Sequence, residues 1–396
     1  MSKWKEYKLG ELISINVKSI DRNYPHKRIE YLDTGSITRG KIEGFQSVNL
    51  ENAPSRAKRL VKDNDIIYSP VRPIQRHYGI IKNPKPHLVV STGFAVLSCD
   101  EKKANADFLY YFLTADEIVN YLDMVAEGST SAYPSLTPDV IAGIDILLPP
   151  LPEQKSIASI LSSLDDKIDL LHRQNKTLEA LLEALAETLF RQWFVEEAEK
   201  SWKTKSLFDV IELVGGGTPK TEVAEYWNGS IKWISAKDIT SNHKGFITET
   251  EKTITEFGLG NSSTKVLPKY ATVISARGTV GKYCLLSESM AFSQSNYGIK
   301  PKYKECYFFT YLLVANSVDE LQAAAYGSVF DTITTNTFRE HKIHIPKESE
   351  IQSFERSIKP YFEKMMINCE QIITLIRLRD TLLPKLMRGE IKINNE

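Results

Sequence analysis

The side chains in this sequence with the clearest chemical use are those able to read nucleic acid. Arg72, Gln75, Arg76 and His77 crowd the stretch Ser69-Pro-Val-Arg-Pro-Ile-Gln-Arg-His-Tyr-Gly79, directly after the apolar run Asp65–Tyr68. An arginine fork can take a guanine edge with two hydrogen bonds, and a glutamine amide can do the same with adenine. A counterpart, Ser275-Ala-Arg277-Gly-Thr-Val-Gly281-Lys282, follows the run Thr272–Ile274. The two stretches agree at Ser69/Ser275, Arg72/Arg277 and Gly79/Gly281; an ordinary solvated basic loop is the alternative. Arg56, Lys58 and Arg59 suit phosphates, as does Lys220 in Gly217-Thr-Pro-Lys-Thr221, with plain solvated charge as the alternative for each. Gln294 and Asn296, ahead of a strand, could contact DNA or cap. Ser129, after Gly128, could bring backbone amides to a phosphate or mark a plain turn.

Catalytic patterns fail on inspection. Gly215-Gly-Gly-Thr-Pro-Lys220-Thr221 mimics a phosphate loop, but Pro219 stands where the glycine before lysine belongs. Pro138-Asp139 with Asp165-Asp166-Lys167 mimics a nuclease, yet the latter three fall in a helical repeat where a solvated charged face is the default. Asn83-Pro-Lys-Pro86 has lysine where an amino-methyltransferase motif has its second proline. The seven histidines lie apart, and Cys99, Cys284, Cys306 and Cys369 never form a Cys-x-x-Cys pair, so buried free thiols are expected. Catalysis would have to be borrowed.

A chain of 396 residues is long enough for two domains, and its net charge of +0 at first argues against a nucleic-acid binder. The distribution argues otherwise. Between Ala53 and Lys85 stand eight basic residues against two acidic ones, whereas between Glu153 and Glu199 ten acidic residues face five basic. A basic lobe beside an acidic rod sums to nothing. The N-terminus lacks the apolar core of a signal peptide and no run is long enough to span a bilayer, which predicts a cytoplasmic protein.

What would position these residues is an internal duplication. Trp4-Lys5 and Leu9 recur as Trp202-Lys203 and Leu207, Asp65–Ser69 as Ala271–Ser275, Gly128-Ser129 as Gly327-Ser328, and Ile146–Pro149 as Ile343–Pro346. Short β-branched runs (Leu88–Val90, Phe94–Leu97, Lys232–Ile234) read as strands. Phe108–Thr114, Glu117–Asp123, Tyr307–Ala315 and Val318–Ala325 read as short helices. Each copy then enters a long heptad-like stretch. The first has Ile157, Leu161, Leu164, Ile168, Leu171, Leu178, Leu182, Leu185 and Leu189 in its seam, broken by Asn175; a polar core position fixes register at some cost. The second has Ile351, Phe354, Ile358, Tyr361, Met365, Ile372, Leu375, Leu382 and Leu386, with Asn368 and Arg379 as exceptions, and Pro360 is expected to kink or restart it. The fold class expected is therefore α/β (mixed α+β): lobes at 1–150 and 198–347 in pseudo-two-fold arrangement, separated by two long antiparallel coiled-coil helices at 151–197 and 348–396. Helices that each pack on their own lobe are the alternative.

Taken together, the Trp-Lys-x3-Leu openings, Leu148-Pro-Pro-Leu-Pro-Glu-Gln-Lys-Ser-Ile-Ala-Ser-Ile-Leu161, Phe190-Arg-Gln-Trp193-Phe194 and Leu382-Leu-Pro-Lys-Leu-Met-Arg-Gly-Glu-Ile391 resemble the DNA-specificity subunit of type I restriction-modification systems. Gly217–Thr221 with Tyr226-Trp-Asn-Gly229 resembles the opening of one class of target-recognition domain. The resemblance spans the chain; Ile345-Pro-Lys-Glu-Ser-Glu350 departs from the Leu-Pro-Glu-Gln form. It implies no catalytic centre and no cofactor in this chain, and two lobes that each read half of a split double-stranded DNA target. It also implies two modification subunits that bring S-adenosylmethionine and dock on the helices, where Asn175, Leu178, Leu182, Leu185, Phe190, Trp193, Phe194, Leu382 and Leu386 form the spacer and subunit interface. Full assemblies would add two restriction subunits. The tandem Leu-Glu-Ala-Leu at 178–185 resembles the four-residue unit whose copy number sets the gap between half-sites. A coiled-coil adaptor whose lobes bind protein is the rival reading.

Overall fold

The computed structural model describes residues 4–128, 134–191, 203–326, 331–391 and 393. Two helices dominate it, Leu151–Arg191 and Glu348–Met387. The chain divides into two compact units, residues 1–167 with 375–396 and residues 168–374, so the division falls inside both helices.

In the first unit, the run Ile66–Tyr68 is wholly buried because its alternating side chains enter two cores, Ile66 and Tyr68 one and Ile67 the other. It lies between Ala95–Cys99 and Tyr78–Ile80, with Ile13–Ile15 beyond, all antiparallel. A second sheet runs Gln46–Asn49, Arg28–Leu32, Leu88–Ser91, Ala57–Leu60, its middle pair parallel. Lys5–Lys8 pairs with Asp145–Leu148, whose inward residues Ile146 and Leu148 are buried while Asp145 and Leu147 face out. The helices Ala106–Thr114 and Asp116–Glu127 pack on the first sheet's core.

The second unit repeats this plan. Thr272–Ser275 lies between Asn296–Pro301 and Tyr283–Leu286, flanked by Ile211–Gly215 and Phe246–Ile247. A further sheet, Lys252–Ile254, Trp227–Ile234, Met290–Phe292, Val266–Leu267, again has a parallel middle pair. Lys203–Ser206 pairs with Lys342–Ile345 in the register of its first-unit counterpart: Lys203 faces Ile345 as Lys5 faces Leu148. The two short helices expected at Tyr307–Ala315 and Val318–Ala325 are one, Tyr307–Tyr326. Asn316 and Ser317, between the two ranges, continue the helix and donate hydrogen bonds to the carbonyls of Leu312 (3.0 Å) and Leu313 (2.9 Å).

Each unit contains its own stretch of antiparallel helix pairing. In the first, Ile157, Ala158 and Leu161 share a core with Leu386, with Leu382 packed against it, and Asp165 meets Arg379 at 2.8 Å. In the second, Asn368 Nδ2 donates to Asn175 Oδ1 (2.8 Å), and Leu182 lies in one core with Ile358, Phe362 and Met365. Burying a Leu or Ile fully contributes about 1.5–3 kcal/mol, so each of these positions favours the paired state. All three polar exceptions to the heptads thus have partners across the pair. Two expectations for the second helix are corrected. Pro360 leaves the helix unbroken: it and Arg356, whose carbonyl loses its N–H partner, are exposed, so water can serve that carbonyl. Tyr361 is 38% exposed, and its neighbour Phe362 takes the core position.

The C-terminal motif has a plain structural cause. Gly389 takes φ +69° beyond the second helix, Glu390 N–H donates to Lys385 O, and the indole of Trp4 lies so near that a Cβ on Gly389 would come within 3.1 Å of it. Trp4 Nε1 in turn donates to Glu153 Oε1 (3.3 Å). The equivalent first-helix residues Trp193 and Phe194 lie outside the described residues, as does the side chain of Phe190. No described helix is long and apolar enough to cross a membrane.

Candidate nucleic-acid interface

The two basic loops occupy equivalent places: each joins an interior strand of its sheet to an antiparallel neighbour. Ser69 N–H donates to His77 O (2.9 Å) and Ser275 N–H to Lys282 O (2.8 Å), so Ser69 matches Ser275 and His77 matches Lys282. The Gly79/Gly281 match is corrected. Gly79 sits in a strand opposite Ile67, the place Cys284 holds opposite Val273, and the true repeated residue is Tyr78/Tyr283. Gly281 lies in the loop at φ +81°, where a Cβ would press on Gln322.

The first loop is built around strained arginines. Arg72 (φ 46°) and Arg76 (φ 60°) are both left-handed and bracket the turn Pro73–Gln75. The side chains of Arg72 and Gln75 are exposed, with no hydrogen bond or ion pair among the described residues. Arg76 differs. Its Nη1 reaches Asp116 Oδ1 at 2.7 Å, and although burial opposes its charge, Asp116 and the Tyr78 hydroxyl outweigh that and raise its pKa. Arg76 is therefore committed within the protein. His77 is half-buried and its Nδ1–H donates to Ile37 O (2.7 Å).

The second loop holds itself. Ser275 Oγ donates to Thr279 O and accepts from Lys282 N–H (2.9 Å), Gly278 and Gly281 supply the positive φ, and Gln322 Nε2 donates to Val280 O (2.7 Å). Arg277 stands exposed and without a partner among the described residues; Lys282 is half-buried.

Other candidates separate into surface and interior. Arg56 and Lys58 are exposed, but Arg59 is half-buried with an unpartnered Nε, and burial lowers its pKa. Lys220 is exposed, and its loop is pinned from beneath: Trp227 Nε1 donates to Lys220 O (3.1 Å) and Trp233 Nε1 to Gly217 O (3.0 Å). Tryptophan spacing in the sequence does not say where an indole N–H points, so only the fold reveals these two contacts. Gln294 is exposed. Asn296 is corrected: it is 1% exposed and donates to Ser293 Oγ (2.9 Å), so it ties a turn and cannot reach DNA. Ser129, with Gly327 and Ser328, lies outside the described residues. The local positive charge is also smaller than the sequence suggested, because Lys82 pairs with Asp107 and Lys85 with Glu30.

Among the spacer residues, Leu182 and Leu386 are buried and Asn175, Leu178, Leu185 and Leu382 half-buried. One arrangement imitates a hydrolase. His341 lies between Glu320 (2.8 Å) and Ser317 (3.0 Å), but Ser317 is 2% exposed and its hydroxyl donates to Leu313 O. No substrate carbonyl can approach it. Burial also pushes the Cys306 and Cys369 thiols up to about 11, away from reactive thiolates. Among the described residues no three His, Cys, Asp or Glu side chains gather as a metal site.

Twin lobes with exposed basic hairpin tips, each packed on a paired stretch of the long helices, define a class of DNA-reading protein. The family described as the type I restriction modification DNA specificity domain matches residues 1–180 and 199–373. The HindI specificity subunit of Haemophilus influenzae is 26% identical over 99% of this chain and 100% of its own, and the MjaIX specificity subunit of Methanocaldococcus jannaschii is 25% identical over 99% and 89%. The crystal structure of a type I restriction-modification S subunit from M. genitalium shares the fold, with TM-score 0.61 at 15% identity over 97% of this chain and 96% of the other. The chain belongs to the type I restriction-modification DNA-specificity family, and its part is recognition of DNA sequence rather than catalysis.

Proposed function

We propose that each lobe reads one half of a split double-stranded DNA target. Arg72 and Gln75 meet base edges in one half and Arg277 in the other, while Arg56, Lys58, Lys220, Lys282 and Gln294 hold phosphates and sugar. The observation that carries this reading is the recurrence, on equivalent hairpins, of an exposed arginine without a carboxylate partner among the described residues. The chain presents its target to two modification subunits, which bring S-adenosylmethionine, and in full assemblies to two restriction subunits. The Leu178–Leu185 doublet sets the gap: deleting Leu182–Leu185 shortens the gap and leaves both half-sites unchanged. Footprinting of the assembled complex tests the whole. Two short protected half-sites flanking an unspecific gap, with affinity falling steeply as salt rises, are expected; binding with no salt dependence overturns the reading.

A further inference from the structure

The first hairpin tip is held by groups outside the hairpin. Asp123 Oδ1 accepts the Ile74 N–H at 3.0 Å, in the middle of the turn. Asp116 Oδ1 accepts from Arg76 at 2.7 Å, at its end. Both carboxylates come from the helix Asp116–Glu127. Arg72 N–H is taken by Pro134 O (3.2 Å), and Arg76 O accepts from Arg39 N–H (2.8 Å). Left-handed backbone at two arginines is costly and persists only where the surroundings over-determine it. Here they do: the strain aims Arg72 and Gln75 outward, and the clamp maintains it. The second lobe solves the same problem from the same side. Gln322, on the helix Tyr307–Tyr326, donates to Val280 O at 2.7 Å, and glycines carry the positive φ.

Resting on the DNA-reading role proposed above, we infer that Asp116 and Asp123 in the first lobe, and Gln322 in the second, are positioning residues for sequence specificity. Each acts through the hairpin tip it grips, and Arg76 belongs to the clamp rather than to the reading surface. The bases accepted by a half-site are then set partly by residues that touch no DNA.

Methylome sequencing of cells carrying the assembled complex reads the modified motif directly, and each half-site serves as the control for the other. Wild type must first yield a gapped two-part motif; without one, the DNA-reading role itself falls. Given that motif, Asp123→Ala and Asp116→Ala should relax discrimination in one half-site by about tenfold, the scale of one mismatched base pair, with the other half unchanged. Gln322→Ala should do the reverse. Asp123→Asn keeps an oxygen that accepts the Ile74 N–H and should read as wild type. Exchanging the charges, Asp116→Arg with Arg76→Asp, should restore what Asp116→Ala loses. The inference is overturned if the alanine variants leave both half-sites intact or relax both together. It is equally overturned if the exchange fails to restore discrimination, since Arg76 would then itself contact DNA.

Discussion

Tyr111 donates to Asp165 (2.8 Å), which is paired with Arg379; in the other unit Tyr311 stands against Phe362, ring centroids 5.5 Å apart, and shares a core with Leu182. By the register that makes Leu148 the counterpart of Ile345, Asp165 corresponds to Phe362 and Arg379 to Leu182. One site where a lobe meets the helix pair is thus an ion pair, and the other an apolar contact. The difference teaches that the duplication preserves where a lobe docks and not how. A carboxylate bound to both a tyrosine and a guanidinium is geometrically exacting, and the three groups share a partly buried site where Asp165 and Asp380 raise the Arg379 pKa against the opposing effect of burial. Phe362, stacked at 4.5 Å on Phe308, supplies area without a directional demand.

The largest effect should come from the apolar side. Phe362→Ala is expected to cost about 3–5 kcal/mol in chemical denaturation. A cost under about 1 kcal/mol would mean that the apolar contact does not hold the second unit.

A pH test comes next. Glu355 is buried and accepts the N–H groups of Phe308 and Phe309, whereas in the first unit the neutral Gln154 accepts that of Asn105. Burial, outweighing those N–H bonds, raises the Glu355 pKa from 4.5 to about 7. The native state therefore holds the proton more tightly than the unfolded chain. Stability from this group is full below pH 4.5 and declines as pH rises towards 7, by on the order of 3 kcal/mol. Melting curves between pH 5 and 8 should show that decline in wild type and lose most of it in Glu355→Gln; parallel profiles would refute the assignment.

Trp233→Phe should cost about 1–2 kcal/mol by leaving Gly217 O unpaired, and should weaken only the second half-site in footprints. Transplanting one contact into the other, Asp165→Phe with Arg379→Leu, should change stability by less than about 1 kcal/mol, because replacing a partly buried ion pair by packed apolar groups is often neutral. A large loss in the same denaturation assay would show the ion pair to be specific to its unit. Smallest of all, Lys58→Ala should lower the slope of log affinity against log salt by about 1 without altering the motif; an unchanged slope removes Lys58 from the phosphate contacts.

Much of this was legible in the residues. Ile66–Tyr68 and Thr272–Ser275 are strands because β-branched runs between turn formers have little choice, and both long helices follow from apolar spacings of three and four. The candidate readers were harder. Arg72 and Arg76 are chemically identical and four residues apart, yet one is exposed and the other is bound to Asp116, because a left-handed residue turns the chain in a way that spacing cannot express. Asn296 and Gln294 differ likewise, one beneath its turn and one above it.

The amino-acid order by itself determined the duplication, the heptads with their polar interruptions and the membership of a DNA-reading family, since all are local patterns or repeats of them. Only the tertiary structure decided which arginine is left unpaired, that Asn175 meets Asn368 and Asp165 meets Arg379, and which carboxylates grip the first hairpin. Those outcomes depend on residues distant in sequence arriving within 3 Å of one another, and a side chain's charge is spent on whichever partner the fold brings nearest.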